Sequence, residues 1–310
     1  LRNTKTQECA TGITQQIGTT FFDKTILEKF CGKLTTPLTI PGIVMIDTPG
    51  HECFSAMRYV GALSADLVII MIDINKGLEK ETKNCLAFIS KQCGVNFIIV
   101  LNKIDRMFGW KSVKEAPLKR CFSINSGVMD IMKKNINDII CQLANLEINA
   151  MPYYENKDPS TYVSMVPISS STGEGISDLI LLISKMMEKY VKKISRDPLY
   201  SFSHGYVLDE RIESNIGSFL ISIHNNGEFH EKSNIIILNR SEPSLIIKAR
   251  VRNIIIANDN KEMKDKTRYK HISSISGTHG IGMCLDNMKP LSKIYPGAVY
   301  GCCNSDAPNP

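Results

Sequence analysis

The chain has 310 residues, 43% of them hydrophobic and 22% charged, with a net charge of +6. That is enough apolar material for a sizeable core in about two domains, and no apolar run approaches the ~18 residues of a membrane span. The small basic excess suits a phosphate-rich partner without requiring one. Ten cysteines without a Cys-x-x-Cys pair argue against a zinc site and a disulfide framework, leaving reduced, cytosolic thiols as the simplest account.

From the amino terminus, Gly12-Ile13-Thr14-Gln15-Gln16-Ile17-Gly18 is a polar, glycine-flanked stretch ahead of the first full strand. A threonine in such a loop can offer its hydroxyl to Mg²⁺ and its backbone to a terminal phosphate. Strand-forming Ile43-Val44-Met45-Ile46 leads into Asp47-Thr48-Pro49-Gly50-His51. The pattern predicts Asp47 at the carboxyl end of a buried parallel strand, where open α/β sheets bind ligands. A carboxylate there can hold Mg²⁺ through water, and Gly50 lets a backbone N–H approach a terminal phosphate. His51 then stands where an attacking water needs orienting. A second apolar run, 97–101, ends in Asn102-Lys103-Ile104-Asp105, expected at a neighbouring strand end on the same sheet edge. There Asp105 can accept from the N1 and N2 donors of guanine, Asn102 can meet N7 and O6, and the Lys103 stem can cover the base or ribose. Either string alone is an ordinary turn; the two in this order, each after a strand, point to a guanine nucleotide. A third strand, 163–168, precedes Ser169-Ser170-Ser171-Thr172-Gly173-Glu174-Gly175, whose backbone amides could bind guanine O6 or simply cap a helix.

Helices are expected over 54–63, 79–92, 124–144 and 176–193, with an irregular, polar surface loop over 108–120. Strands alternating with helices predict a doubly wound, mostly parallel sheet as far as about 193. A charged linker, 195–198, follows. Beyond it come short strands at 203–208, 217–224, 234–238, 246–256, 281–285 and 298–300. Asn225-Asn226-Gly227 marks a hairpin between two of them, and the spacing predicts a small antiparallel β-barrel. The basic stretch 261–270 reads as a solvated loop, with RNA contact as the sharper alternative. Cys302-Cys303 has no histidine beside it, and 304–310 reads as a tail.

These strings resemble the translational GTPases, and within them the initiation factor 5B family, eukaryotic relatives of bacterial initiation factor 2. Gly12 to Gly18 resembles that family's switch I, and Asp47 to His51 with Glu52-Cys53-Phe54-Ser55 its switch II. The eukaryotic branch is favoured by Asp73-Ile74, Gly77-Leu78-Glu79, Asp105-Arg106, Trp110-Lys111 and Tyr154-Glu155-Asn156-Lys157-Asp158-Pro159. The resemblance implies an α/β P-loop-type G domain over 1–195 with its first strand missing, a β-barrel domain II over 196–301, and a tail over 302–310. It implies GTP or GDP and Mg²⁺ as ligands. Thr14 and Asp47 would serve the metal, Gly50 the γ-phosphate and His51 catalysis, while Asn102, Lys103, Asp105, Ser169, Ser170 and Ser171 bind the nucleotide.

The implied activity is GTP hydrolysis in a cytoplasmic initiation factor that promotes ribosomal subunit joining and initiator-tRNA placement, hydrolysis triggering release. Implied partners are the ribosome, through its rRNA and subunit interface, other initiation factors, and the initiator tRNA through domains beyond this chain; no membrane is expected. One departure stands out. Gly-x-x-x-x-Gly-Lys-Ser/Thr is absent, since Gly32-Lys33-Leu34 lacks both the hydroxyl residue and the upstream glycine. Leu1-Arg2-Asn3-Thr4 resembles family sequence just beyond that loop, so a fragment lacking the P-loop and the carboxyl-terminal domains is expected. A non-hydrolysing, ribosome-binding remnant is the alternative.

Overall fold

The computed structural model describes residues 17–32, 38–50, 55–93, 95–194, 202–239, 242, 244–257, 269–286 and 294–302. They fall into two compact units, one holding Asp23–Gly42 and Ala65–Tyr190, the other Ile43–Ser64 with Val191–Pro310 and the residues up to Phe22.

In chain order the first elements are β1 (Gly18–Asp23), α1 (Lys24–Cys31), β2 (Gly42–Asp47), α2 (Ser55–Leu63), β3 (Leu67–Asp73) and α3 (Lys80–Phe88). They are followed by β4 (Asn96–Asn102), α4 (Leu118–Ile124), α5 (Met129–Ala144), β5 (Ala150–Pro152), β6 (Val163–Pro167) and α6 (Ile176–Ile194). Asp23 starts α1 by accepting from Ile26 N at 2.8 Å, an ordinary N-cap. The first unit is built on a parallel sheet in the order β3-β4-β6-β5. Its centre is β4, where Ile98, Ile99, Val100 and Leu101 are all 0% exposed. A run of four apolar residues with no polar alternation suits a strand covered on both faces. Register pairs Asp73 with Asn102 and Leu101 with Pro167, so β3, β4 and β6 end together at one edge.

The strand leading to Asp47 departs from expectation. β2 pairs with β1 in a two-stranded sheet of its own, so β4 has β3 and β6 as neighbours and not β2. A two-stranded ribbon cannot cover both faces of its strands, and β2 is accordingly half-buried with Asp47 exposed. The helix expected over 124–144 is divided: α4 ends at Ile124, a 3₁₀ turn spans Ser126–Val128, and α5 begins at Met129. Asn125, 2% exposed, makes the break by donating through Nδ2 to the carbonyls of Cys121 and Lys111 while accepting from Lys111 N. Segment 108–120 is irregular and largely exposed as far as Pro117, as expected, but it is pinned by buried Trp110, Ala116 and Leu118, and its last residues start α4. The helix over 79–92 is α3 continued by a π turn, Ile89–Cys93.

The second unit contains β7 (His204–Glu213), β8 (Gly217–Asn226), β9 (Glu228–His230), β10 (Asn234–Leu238) and β11 (Ile246–Ala257). It continues through β12 (Tyr269–Ile272), β13 (Ser274–Ser276), β14 (His279–Leu285) and β15 (Val299–Cys302). Antiparallel pairing runs β10-β15-β7-β8-β14-β11 and returns from β11 to β10, closing a barrel; β12 adds to β11. Alternation divides its residues. Val207, Leu220, Ile237, Val251, Met283 and Tyr300 fill one cluster. Leu208, Phe219, Ile221 and Ile223 face a second cluster shared with Ile17, Ile46 of β2 and Met57 and Val60 of α2, all within the same unit. The barrel is as predicted, but Asn225-Asn226-Gly227 does not join β8 to β10 as a hairpin. Gly227, at φ +80°, turns the chain out of the barrel into β9, which pairs with β13. The linker 195–198, the basic stretch up to residue 268 and the tail 304–310 lie outside the described residues, while Tyr269 and Lys270 belong to β12. Among the described residues no helix is long and apolar enough to cross a membrane.

An imidazole is sealed into the barrel. His224 is 0% exposed, stacked on Phe229 at 5.0 Å with its Nδ1 3.3 Å from the Tyr300 hydroxyl. Burial pushes its imidazole from 6.5 down to about 4, the carbonyls of Gly227 and Asn226 opposing and His204 and His279 assisting. The unfolded chain therefore takes the proton first as pH falls. Stability should be complete above pH 6.5 and decline towards about 4, by about 1.4 kcal/mol per pH unit. Urea melts of His224→Phe across that window should show a flatter decline; an unchanged slope would assign the acid sensitivity to other groups.

Candidate nucleotide-binding site

The parallel sheet sets three chain reversals side by side, after β3, β4 and β6. The reversal after β4 turns on Lys103, which adopts φ 69°, ψ 37°. A non-glycine residue in the left-handed region costs about 1–2 kcal/mol and persists only where its surroundings enforce it. Here three contacts do so. The Lys103 amide donates to Asn102 Oδ1 at 2.8 Å, its ammonium meets Asp73 Oδ2 at 2.9 Å, and its carbonyl accepts from Asn75 Nδ2 at 3.2 Å. Asp73 Oδ1 in turn accepts from Asn75 N at 3.0 Å. Partial burial acts to raise the Asp73 carboxyl, but Lys103 and Asn75 outweigh it and hold the group below its ordinary value.

The chain then enters a 3₁₀ turn, Ile104–Arg106, anchored by the fully buried Ile104, whose amide bonds Ile168 O at 3.3 Å. Asp105 sits in that turn. Its Oδ1 is buried without a hydrogen-bond partner among the described residues. Such an acceptor costs about 1–3 kcal/mol unless a donor arrives from outside. Across from it, Asn102 stitches the β4 and β6 loops together, its Nδ2 donating to Ser170 Oγ at 3.1 Å and its Oδ1 accepting from Ser170 N at 3.0 Å. Within the serine turn Thr172 N bonds Ser169 Oγ at 3.1 Å and Gly173 N bonds Ser169 O at 2.9 Å. The amide of exposed Ser171 has no acceptor among the described residues. A buried acceptor on one loop and an unused donor on the next are the group types that a guanine edge calls for, since it offers N1–H and N2–H donors beside the O6 acceptor.

The family profile described as the elongation factor Tu GTP binding domain matches residues 2–189. The chain belongs to the elongation factor Tu GTP-binding domain family. Eukaryotic translation initiation factor 5B of Schizosaccharomyces pombe is 33% identical over 297 residues, 93% of this chain and 27% of that protein. A probable translation initiation factor IF-2 of Metallosphaera sedula is 30% identical over 275 residues, 87% of this chain and 45% of that protein. The crystal structure of GDP-bound aIF5B from Aeropyrum pernix aligns at a TM-score of 0.79 and 24% identity, covering 97% of this chain and 50% of that one; it supports the fold. This chain spans from 27% to 51% of the length of curated relatives it matches.

Within this GTP-binding domain, Asn102, Lys103, Asp105, Ser169, Ser170 and Ser171 come together at one sheet edge. Asp47 and Gly50 belong to the other compact unit, both exposed, and a Cβ built on Gly50 would meet nothing within 4 Å. Thr14 and His51 lie outside the described residues. Among the described residues no three His, Cys, Asp or Glu side chains gather as a metal-holding group. Sequence reasoning missed Asp73 and Asn75 as the supports of Lys103, although a carboxylate closing an apolar strand was a visible signal. It also passed over Glu174, a carboxylate between two glycines, which is 0% exposed.

The Asp73 geometry yields a pH-dependent expectation. Because its folded pKa is depressed, its contribution is present above the ordinary 3.8 and is lost as pH falls through the lowered value. Asp73→Ala should cost about 1–2 kcal/mol at neutral pH. The gap from wild type in chemical-denaturation experiments should hold constant from neutrality towards 3.8 and close only below it.

Proposed function

We propose that this chain is the guanine-nucleotide-binding and barrel portion of a translation initiation factor GTPase. The observation that carries the reading is the orphaned, buried Asp105 Oδ1 on a strained, rigidly supported loop. Family membership and the names of the relatives support it. In this reading Asp105 accepts from guanine N1–H and N2–H, Ser171 N–H meets O6, and the second Nδ2 hydrogen of Asn102 is available to N7. The Lys103 stem flanks the base. Ser169 and Ser170 hold the turn through the bonds described above.

The remaining roles follow the family resemblance. Thr14 and Asp47 would hold Mg²⁺, which neutralises phosphate charge when bound; Gly50 would sense the γ-phosphate and His51 would orient the attacking water. Triphosphate-dependent ordering of the switch loops would give a form that engages the ribosome, promotes subunit joining and initiator-tRNA placement, and is released on hydrolysis. These steps belong to a longer protein acting in the cytoplasm with the ribosome and other initiation factors. The chain carries no Gly-x-x-x-x-Gly-Lys-Ser/Thr string, so base recognition is the part of the reading that its own residues support.

Calorimetric titration of the chain with GDP and ADP in Mg²⁺ buffer tests it. GDP should be preferred, and Asp105→Asn should weaken GDP by about 10- to 100-fold, the worth of a hydrogen bond to a charged group. The same variant should improve binding of xanthosine diphosphate, because the amide offers a donor where xanthine offers a C2 carbonyl. Equal affinity for GDP and ADP, or no binding of either, would sink the proposal.

A further inference from the structure

The segment expected to be a solvent-exposed loop is bound to the base-reading turn. Glu174, 0% exposed, accepts through Oε1 from Trp110 Nε1 at 3.1 Å and from Val113 N at 2.9 Å, and through Oε2 from the Thr172 hydroxyl. Two backbone bonds complete the seam: Glu115 N to Thr172 O at 2.9 Å, and Gly175 N to Ala116 O at 3.0 Å. Glu115 itself is left-handed at φ 55°, and a Cβ on Gly173 would stand 3.0 Å from its Cγ, so the two strands of backbone meet closely. A buried carboxylate with no ion-pair partner among the described residues is expensive, and an apolar residue would hold a loop down at lower cost. What the carboxylate adds is direction. Its two oxygens fix the indole and the Val113 amide on one side and the Thr172 hydroxyl on the other, within one residue of Ser171.

We propose that segment 110–116 is a brace and that Glu174 is a positioning residue, aiming the Ser171 amide at guanine O6 without touching the nucleotide. The inference rests on the guanine-nucleotide reading given above. Because Thr172 is clamped by Glu174 and by Glu115 N, and Ser170 by Asn102, the amide between them has one orientation. Removing the carboxylate frees the Thr172 hydroxyl and the Val113 amide, leaving the turn less tightly held, while the Asn102–Ser170 link and Asp105 stay intact. The loss therefore falls on the O6 side of the base and spares the N1 and N2 side.

The test combines amide exchange with nucleotide discrimination. In the ligand-free chain, Glu174→Ala should speed hydrogen exchange at Thr172 and Gly173 by ~10-fold or more, with the β4 amides unchanged. Glu174→Gln should restore near-wild-type exchange, since its carbonyl can still accept from Trp110 and Val113 and its amide can donate to Thr172. The ratio of affinities for GDP over the diphosphate of 2-aminopurine riboside, which lacks O6, should fall ~10-fold in Glu174→Ala and recover in Glu174→Gln. Unaltered exchange at Thr172 and Gly173, or an unaltered ratio, overturns the brace. Should the wild-type chain fail to bind GDP, the functional reading falls, while the exchange data still uphold or overturn the brace. Should Glu174→Ala fail to fold, Trp110→Phe, which removes one donor from the same carboxylate, reads the same amides.

Discussion

The burial of β4 is the constraint on which the proposed base-reading end of the molecule depends. With Ile98 to Leu101 fully covered on both faces, the strand cannot slip by one residue without exchanging every side chain between faces, and its register against β3 and β6 is fixed. That register decides where Asp73, Asn102 and the serine turn emerge. Hydrophobic burial thus supplies the placement, and the polar groups at the edge refine it. None of those hydrogen bonds, worth about 1 kcal/mol each, could hold three loops in place without the sheet beneath them.

Polar atoms at that edge are satisfied inward with few exceptions. Asn102 is shared between Lys103 and Ser170, Asp73 between Lys103 and Asn75, and Ser169 closes its own turn. The strained Lys103 backbone is thereby paid for by neighbours within the same unit. Against this background the exceptions gain meaning: one buried carboxylate oxygen on Asp105 and one exposed amide at Ser171. An acceptor and a donor left over on adjacent loops describe the complement of a planar ligand edge, in which the donors and acceptor of guanine are reversed.

The parallel sheet, the barrel and the grouping of Asn102, Asp105 and the serine turn were legible because each rests on a local pattern. A continuous apolar run ending in a polar tetrad reports a buried strand and its reversal whatever else the chain does. The placement of β2 was not legible. Its apolar run is indistinguishable from that of a buried parallel strand, and only long-range pairing with β1 reveals the two-stranded ribbon. Segment 108–120 was legible as a surface segment but not as an anchored one: its polar composition suggests solvent, which most of it meets, while the carboxylate that pins it is Glu174, some sixty positions later. Asn225-Asn226-Gly227 supplied the turn it advertised, but a turn does not name the strand it leads to. The chain went into β9, whose pairing with β13 no local signal encodes.

The anchoring of segment 108–124 shows where the fold invests rigidity. Two carboxylates flanking the start of α6, Glu174 two residues ahead of it and Asp178 in its first turn, divide the work. Glu174 takes Trp110 and Val113, while Asp178 accepts from Leu118 N at 2.9 Å, starting α4, and from the Tyr153 hydroxyl. Burial and that carboxylate raise the Tyr153 phenol well above its usual range, so it remains a donor at any physiological pH. A helix N-terminus favours negative charge, which lowers the cost of gathering two acids there. Leu118, 0% exposed, then packs within 3.2 Å of a Cβ placed on Gly175, itself at φ +73° and too close to the Pro167 carbonyl to carry a side chain. Glycine, two acids and one leucine therefore lock the polar segment, the serine turn and the end of β6 into a single body. A surface segment fastened at this many points gives up freedom that an unpinned loop would keep, and it does so beside the turn proposed to tell a base apart by single hydrogen bonds.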